Sequence, residues 1–488
     1  MKSFNQNNYM SNGTKTLLIF WYFMFTILVL LIGYYLIKTP NENNLFYLAW
    51  LGNSLIIYSL FTWVKLTRKL ISAYILFLLS FFSFSFGQAF LFSLGITYEP
   101  FNLYSLYDNR TLLYSHYYTL IGLAFLHLGA LIACKHSNLI DDKVSHVYNP
   151  NLIKAIKLVA WGLFLGSVLF YFQDIVSRLI ISLNSGYMAL YKYDSSSIGQ
   201  QTTFFGNIFA TLKMFFIPGI FLLVFIYKNN IMVRKILTSI LLLAVFLSFL
   251  IGIRTEAAAL LISFVLLWHT EISAFKGKKT VFLLMGAILL LTLFTVIGEV
   301  RGDVNRGVNG FITASKEIIS DKNPIFNSIG EMGGSMFPLI EIMNLVPEKI
   351  NNKYGQTYLS SLLAIFPSFL VDWIVPRISL ANWLMLTLGM NYGPGFSLLA
   401  ESYLNFSWGG APFMFVLGYI FSKILNPQRK KGAFFLVENV FIAVMLYFFI
   451  TAGRGDTLLL IRNIVFYSII PYLLIKILAN SLKKENCE

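Results

Sequence analysis

Apolar residues recur along this chain neither at every second position nor as narrow helical stripes. They form long uncharged blocks closed by polar turns, as in LLIFWYFMFTILVLLIGYYLI from Leu17 to Ile37. Blocks of about 18 residues or more match the helix length needed to cross a hydrocarbon core of about 30 Å, where each backbone N–H and C=O must be satisfied within its own segment. Twelve spans are predicted, near 17–37, 44–64, 71–95, 114–134, 154–173, 203–227, 236–253, 257–275, 280–298, 404–425, 434–451 and 457–479. The first is too long for a secretory-signal core and no small-residue cleavage pattern follows it, so it is expected to remain as an anchor. The expected architecture is an all-α polytopic membrane protein, with residues 1–488 forming a single integral membrane domain.

Composition agrees with the pattern. Of the 488 residues 57% are apolar and 12% charged, and the mean hydropathy is +0.70, which excludes an ordinary soluble domain. A net charge of +15 would suit nucleic acid in a soluble chain. In a membrane chain it points to basic cytoplasmic loops, and no nucleic-acid partner is expected.

Position tests that reading. With a cytoplasmic amino terminus the inner connections are VKLTRK, the Lys135–Lys157 region, YKNNIMVRK, FKGKK, NPQRKKG and the tail SLKKE, so every alternate connection is basic. Both termini are therefore expected in the cytoplasm. The choice of cation also sorts by side. Inside there are 3 Arg to 19 Lys, whereas outside there are 8 Arg to 7 Lys, the arginines being 110, 178, 254, 301, 306, 377, 454 and 462. Topology asks only for positive charge, but the guanidinium fork matches phosphate and carboxylate in two-point contacts that lysine lacks. Anion recognition is accordingly expected on the outer face, with headgroup anchoring as the plainer alternative.

A long segment, 299–400, opens to that face and is neither spanning throughout nor of low complexity. Its stretches FPLIEIMNLVPEKI and LSSLLAIFPSFLVDWIVPRISL are apolar but broken by proline and acid. They predict short interfacial or re-entrant helices forming an outer lid.

Three outer helix mouths carry the candidate chemistry: IGIRTEA with Arg254 and Glu256, GEVRGDVNRG with Glu299, Arg301, Asp303 and Arg306, and TAGRGDTLLLIR with Arg454, Asp456 and Arg462. In each, glycine permits a tight bend and an arginine is followed two residues later by a carboxylate. A single such pair is readily a local salt bridge, while three together suggest a shared task. Arg462 lies inside an apolar run, where a lone guanidinium is costly and needs a partner or a wet cavity. Glu401, in GPGFSLLAESYLNFSWGG, is either a general acid or base with a raised pKa or a structural glutamate. His127 is expected to be a satisfied core side chain. The rings Tyr354, Tyr358, Trp373, Trp383, Tyr392 and Trp408 suit either sugar stacking or an interfacial belt. There is no Walker-type loop, no HExxH, no GxSxG and no cysteine cluster, Cys134 and Cys487 being the two cysteines. ATP hydrolysis, zinc proteolysis and elbow-type esterase chemistry thus lack support, and no metal site or cofactor is expected.

From about residue 240 to 480, the succession GIRTEA, GEVRGD, GPGFSLLAESYLNFSWGG and AGRGD resembles the Wzy-type O-antigen polymerases, or oligosaccharide repeat-unit polymerases. That resemblance implies a metal-independent glycosyltransferase of GT-C type in the bacterial inner membrane, contributing to lipopolysaccharide or related polysaccharide biosynthesis. The growing glycan would leave undecaprenyl diphosphate for the non-reducing end of a new lipid-linked repeat unit, on the periplasmic side. Both substrates are then undecaprenyl-diphosphate-linked glycans within membrane lipid, with a chain-length regulator and a flippase as partners. Arg254, Arg301, Arg306, Arg454, Arg377 and Arg462 become the diphosphate candidates. Glu401 is the first candidate for the base, with Asp303, Glu256 and Asp456 behind it. An O-antigen ligase-like transferase and a lipid-linked oligosaccharide flippase remain as alternatives.

Overall fold

A computed structural model describes residues 10–39, 41–135, 150–186, 189–190, 209, 211–300, 323–366, 379–390, 393–426 and 435–485. Among the described residues the regular structure is helical throughout. Among the described residues ten helices are long and apolar enough to cross a bilayer, and two shorter apolar helices, Thr211–Ile226 and Val437–Ala452, fall on two further predicted spans. Together they occupy the twelve predicted positions. The protein is a polytopic α-helical membrane protein. The largest departure in length is the Pro150–Ser185 helix, 36 residues long, which continues about three turns past its apolar run and carries Asp174 and Arg178 with it. The span predicted at 404–425 is two helices, Leu398–Phe406 and Gly410–Leu425, joined by a 3₁₀ turn.

The chain packs as two compact units. The first comprises residues 1–142, 330–357 and 396–430, the second 143–329, 358–395 and 431–488. The long late segment is thus shared: part of it packs with the first four helices and part with the later ones.

In the first unit, the Asn109–Lys135 and Gly410–Leu425 helices pack most extensively on each other. Two glycines make the approach possible. A Cβ on Gly129 would lie 2.1 Å from the carbonyl oxygen of Phe415, and one on Gly418 would lie 1.8 Å from that of Leu126. Where lipid tails are as apolar as leucine, backbone contact of this kind gives helices a reason to associate. Two large buried polar side chains of this unit, His127 and Gln88, are tied down. His127, wholly buried, is bonded through Nε2 to Thr62 at 3.0 Å and through Nδ1 to Tyr74 at 3.1 Å. Buried Gln88 donates to the carbonyls of Phe101 and Gly330 and accepts from the Leu103 amide. The Tyr107 hydroxyl donates to Glu341. One helix thereby holds an early connection and part of the late segment in fixed places.

In the second unit, the Pro150–Ser185 helix packs on Phe216–Ile226 and Ile470–Glu485, and Arg254–Leu267 packs on Phe435–Ala452. Ile231–Ile251 and Arg254–Leu267 form a tight hairpin. Gly252 closes the first helix at φ +97°, a left-handed conformation natural to glycine. The amides of Gly252 and Ile253 return to the carbonyls of Phe249 and Ser248, both at 3.0 Å, in the manner of a Schellman closure. The hairpin tip thus presents Ile253, Arg254 and Glu256.

Candidate functional site

Six helix ends of the second unit meet around a cavity of about 270 Å³. The carboxyl-terminal part of Pro150–Ser185 supplies Tyr171, Asp174 and Arg178. Ile231–Ile251 supplies Ser248 and Phe435–Ala452 supplies Tyr447 and Thr451. The amino-terminal ends of the intervening helices contribute Lys213, Glu256 and the Arg454–Asn463 stretch. Chain direction alternates from helix to helix, so all six ends lie on one side. It is the side opposite the basic connections at Lys228–Lys235 and Lys276–Lys279. Amino-terminal helix ends with free N–H groups favour anions.

The wall carries Arg178, Lys213 and Arg454 against Asp174, Glu256 and Asp456. Oδ2 of Asp174 accepts from Arg178 Nε at 3.0 Å and from Lys213 Nζ at 2.9 Å. The three side chains keep 18%, 20% and 24% exposure for Arg178, Lys213 and Asp174 respectively, so water reaches them. Tyr171 stacks on Phe216 with ring centroids 4.2 Å apart. Glu256 is exposed toward the cavity and interacts electrostatically with the phenols of Tyr171 and Tyr447. Arg454 lies against Gly395, where a Cβ would stand 3.1 Å from its Nε. Gly395 itself has φ +77°.

Asp456 has a different character. It is buried, and its Oδ2 accepts from the Leu380 amide at 3.1 Å while Oδ1 accepts from the Leu459 amide at 3.3 Å. One carboxylate thus caps the Thr457–Ile464 helix and holds the start of Leu380–Thr387. Burial raises its pKa above the ordinary carboxylate value, against the opposing pull of these N–H groups.

The sequence candidates divide accordingly. Glu256, Arg454 and Asp456 share the cavity. Arg254 is buried at the hairpin tip and engaged in other interactions, its side chain not among the lining groups. Arg462 is exposed, with its guanidinium 5.9 Å from the Phe466 ring centroid, while its neighbour Asn463 takes the place in the wall. A ring one helical turn on is the partner that this cation uses. Glu401 belongs to the first unit, is wholly buried and accepts from Thr357 Oγ1 at 2.8 Å. Thr357 in turn accepts from Asn405 Nδ2 at 2.7 Å. Arg301, Asp303, Arg306 and Arg377 lie outside the described residues. Three wall residues had no sequence nomination: Asp174, Arg178 and Lys213. Arg178 counted among the outer arginines, and its i,i+4 spacing from Asp174 is a helical ion-pair signature. Lys213 carries no comparable local sign. Among the described residues no group of three His, Cys, Asp or Glu could hold a metal ion.

Fold and cavity together define a multi-span membrane protein with a charged, water-reached chamber at one set of helix ends. The family described as O-antigen polysaccharide polymerase Wzy matches residues 17–486, and the chain belongs to that family. The match covers the first half as well as the region that carried the sequence resemblance. Neither a curated protein nor a solved structure matches the chain.

Proposed function

We propose that the chain polymerises lipid-linked oligosaccharide repeat units at the cavity of the second unit. It moves the growing glycan from undecaprenyl diphosphate to the non-reducing end of a new undecaprenyl-diphosphate-linked unit. The observation that carries this reading is the convergence of Arg178, Lys213 and Arg454 with the exposed carboxylate of Glu256 in one chamber. The chamber faces the periplasm in this reading and both termini the cytoplasm, because its helix ends lie opposite the basic connections.

In the reaction the acceptor hydroxyl oxygen forms a bond to the anomeric carbon of the donor glycan. The bond from that carbon to the diphosphate oxygen breaks, and its electron pair departs with undecaprenyl diphosphate. Glu256 takes the hydroxyl proton, the exposed carboxylate being able to approach a bound sugar. Fixed cations meet the charge that develops on the leaving group, so the reading asks for no metal ion. Arg301, Arg306 and Arg377 are further diphosphate candidates of this reading. Glu401 we assign a structural role, since its carboxylate is held inside the first unit.

Deletion of the gene tests the function. Surface glycan on a gel should collapse to a single repeat unit on its acceptor, and complementation should restore the ladder. Loss of even the single repeat would point instead to a flippase or a ligase.

A further inference from the structure

Among the described residues, the charges of the cavity wall nearly balance. Three cations face three carboxylates, so an incoming diphosphate meets guanidinium and ammonium groups already compensated. One carboxylate has to yield its place. Asp456 is fixed by amides from two segments. Asp174 bridges two wall cations through a single oxygen. Its ion pairs are partly solvated, a setting in which such pairs are weak and exchange readily. A diphosphate carries more charge than a carboxylate and offers separate oxygens to separate donors.

We infer that Asp174 is an exchangeable placeholder for the substrate diphosphate: it occupies Arg178 and Lys213 in the empty cavity, gives them up when the lipid diphosphate binds, and reclaims them to expel the spent carrier. The inference rests on the cavity being the diphosphate site. It assigns Asp174 a positioning and release role, not proton transfer. The same carboxylate that weakens binding also speeds release. The empty cavity keeps its cations poised without attracting unrelated anions.

Binding of farnesyl diphosphate to the purified full-length protein in nanodiscs tests the exchange. Asp174→Asn keeps the side-chain volume and removes the competing charge. It should tighten the Kd by about tenfold, the equivalent of about 1.4 kcal/mol, and lower kcat while KM falls. Asp174→Glu restores a competing charge and should bind as the wild type does. Asp174→Ala, measured beside its thermal unfolding curve, should tighten binding as the asparagine does. Weaker or unchanged binding in both neutral variants overturns the exchange, because a merely orienting Asp174 would loosen Arg178 and Lys213 on removal. Arg178→Ala and Lys213→Ala separate the two ideas. Both should weaken binding, and if neither does, the cavity is not the diphosphate site and the exchange falls with it. If both weaken it and Asp174→Asn does too, the site stands and only the exchange fails.

Discussion

Glu401 and Glu256 occupy the same local position, each in the first turn of a helix, yet the fold treats them in opposite ways. Glu401 is 0% exposed and hydrogen-bonded to Thr357 within a unit where buried His127 and Gln88 are also tied to neighbours. Glu256 opens onto a charged cavity in the second unit. A carboxylate enclosed in packed protein is shut off from a substrate, whereas one exposed on a solvated wall can be approached. The comparison teaches that helix position alone leaves a carboxylate's role open, and that its surroundings decide it.

The largest effect should come from Glu256→Gln, which keeps the shape of the wall and removes the proton acceptor. Polymerisation should fall by about 10²- to 10⁴-fold, read as repeat units added per minute to a lipid-linked acceptor. A loss under threefold would remove Glu256 from the chemistry. Gly418→Val comes next. Its side chain would be driven into the Leu126 carbonyl, and overpacking of this kind costs about 1–3 kcal/mol or more. Thermal unfolding in detergent should drop by several degrees, and a wild-type melting temperature would refute the close backbone packing.

Glu401→Ala sharpens the contrast directly. Leaving the Thr357 hydroxyl short of an acceptor should cost about 1–3 kcal/mol of stability, while turnover per folded molecule stays within about threefold. A turnover loss as deep as that of Glu256→Gln, with stability intact, would return the base to Glu401.

The smallest effect concerns Asp456 and its sign depends on pH. Its folded pKa is raised, so the protonated form stabilises the fold and this contribution is lost as pH rises through the folded value. Asp456→Asn, permanently neutral and still able to cap, should unfold at or slightly above the wild-type temperature at pH 7. The difference should vanish as pH falls through the window just above the ordinary aspartate range. A variant less stable than wild type at pH 7, with the gap closing at acid pH, would mean that ionised Asp456 supports the fold.

Much of the architecture was legible in the chain. All twelve apolar runs correspond to helices, because backbone satisfaction in hydrocarbon leaves little other choice. Glycine at 252 and 395 fell where the backbone needs positive φ. Part of the candidate site was legible too: Glu256, Arg454 and Asp456, which line one cavity, stand as charges near glycine at helix mouths. Asp174 and Arg178 did not, since the helix runs past the apolar stretch that defined it and carries them to the cavity on its last turns. Arg462 was nominated for lying in an apolar run, but rotation about the helix gives Asn463 the cavity and leaves Arg462 to Phe466.

Hydrophobicity is a property of single residues added along the chain, so the sequence by itself determined that the protein spans a membrane, where its helices fall and which connections are basic. Which charges meet depends on side chains brought together from helices far apart in the chain, through their rotation and their relative depth. Those are set by packing, as at Gly219, where a Cβ would stand 2.8 Å from the Phe164 backbone nitrogen. For that reason only the tertiary structure decided that Asp174 holds Lys213, that Asp456 fastens Leu380, and that Glu401 is part of the core of its unit.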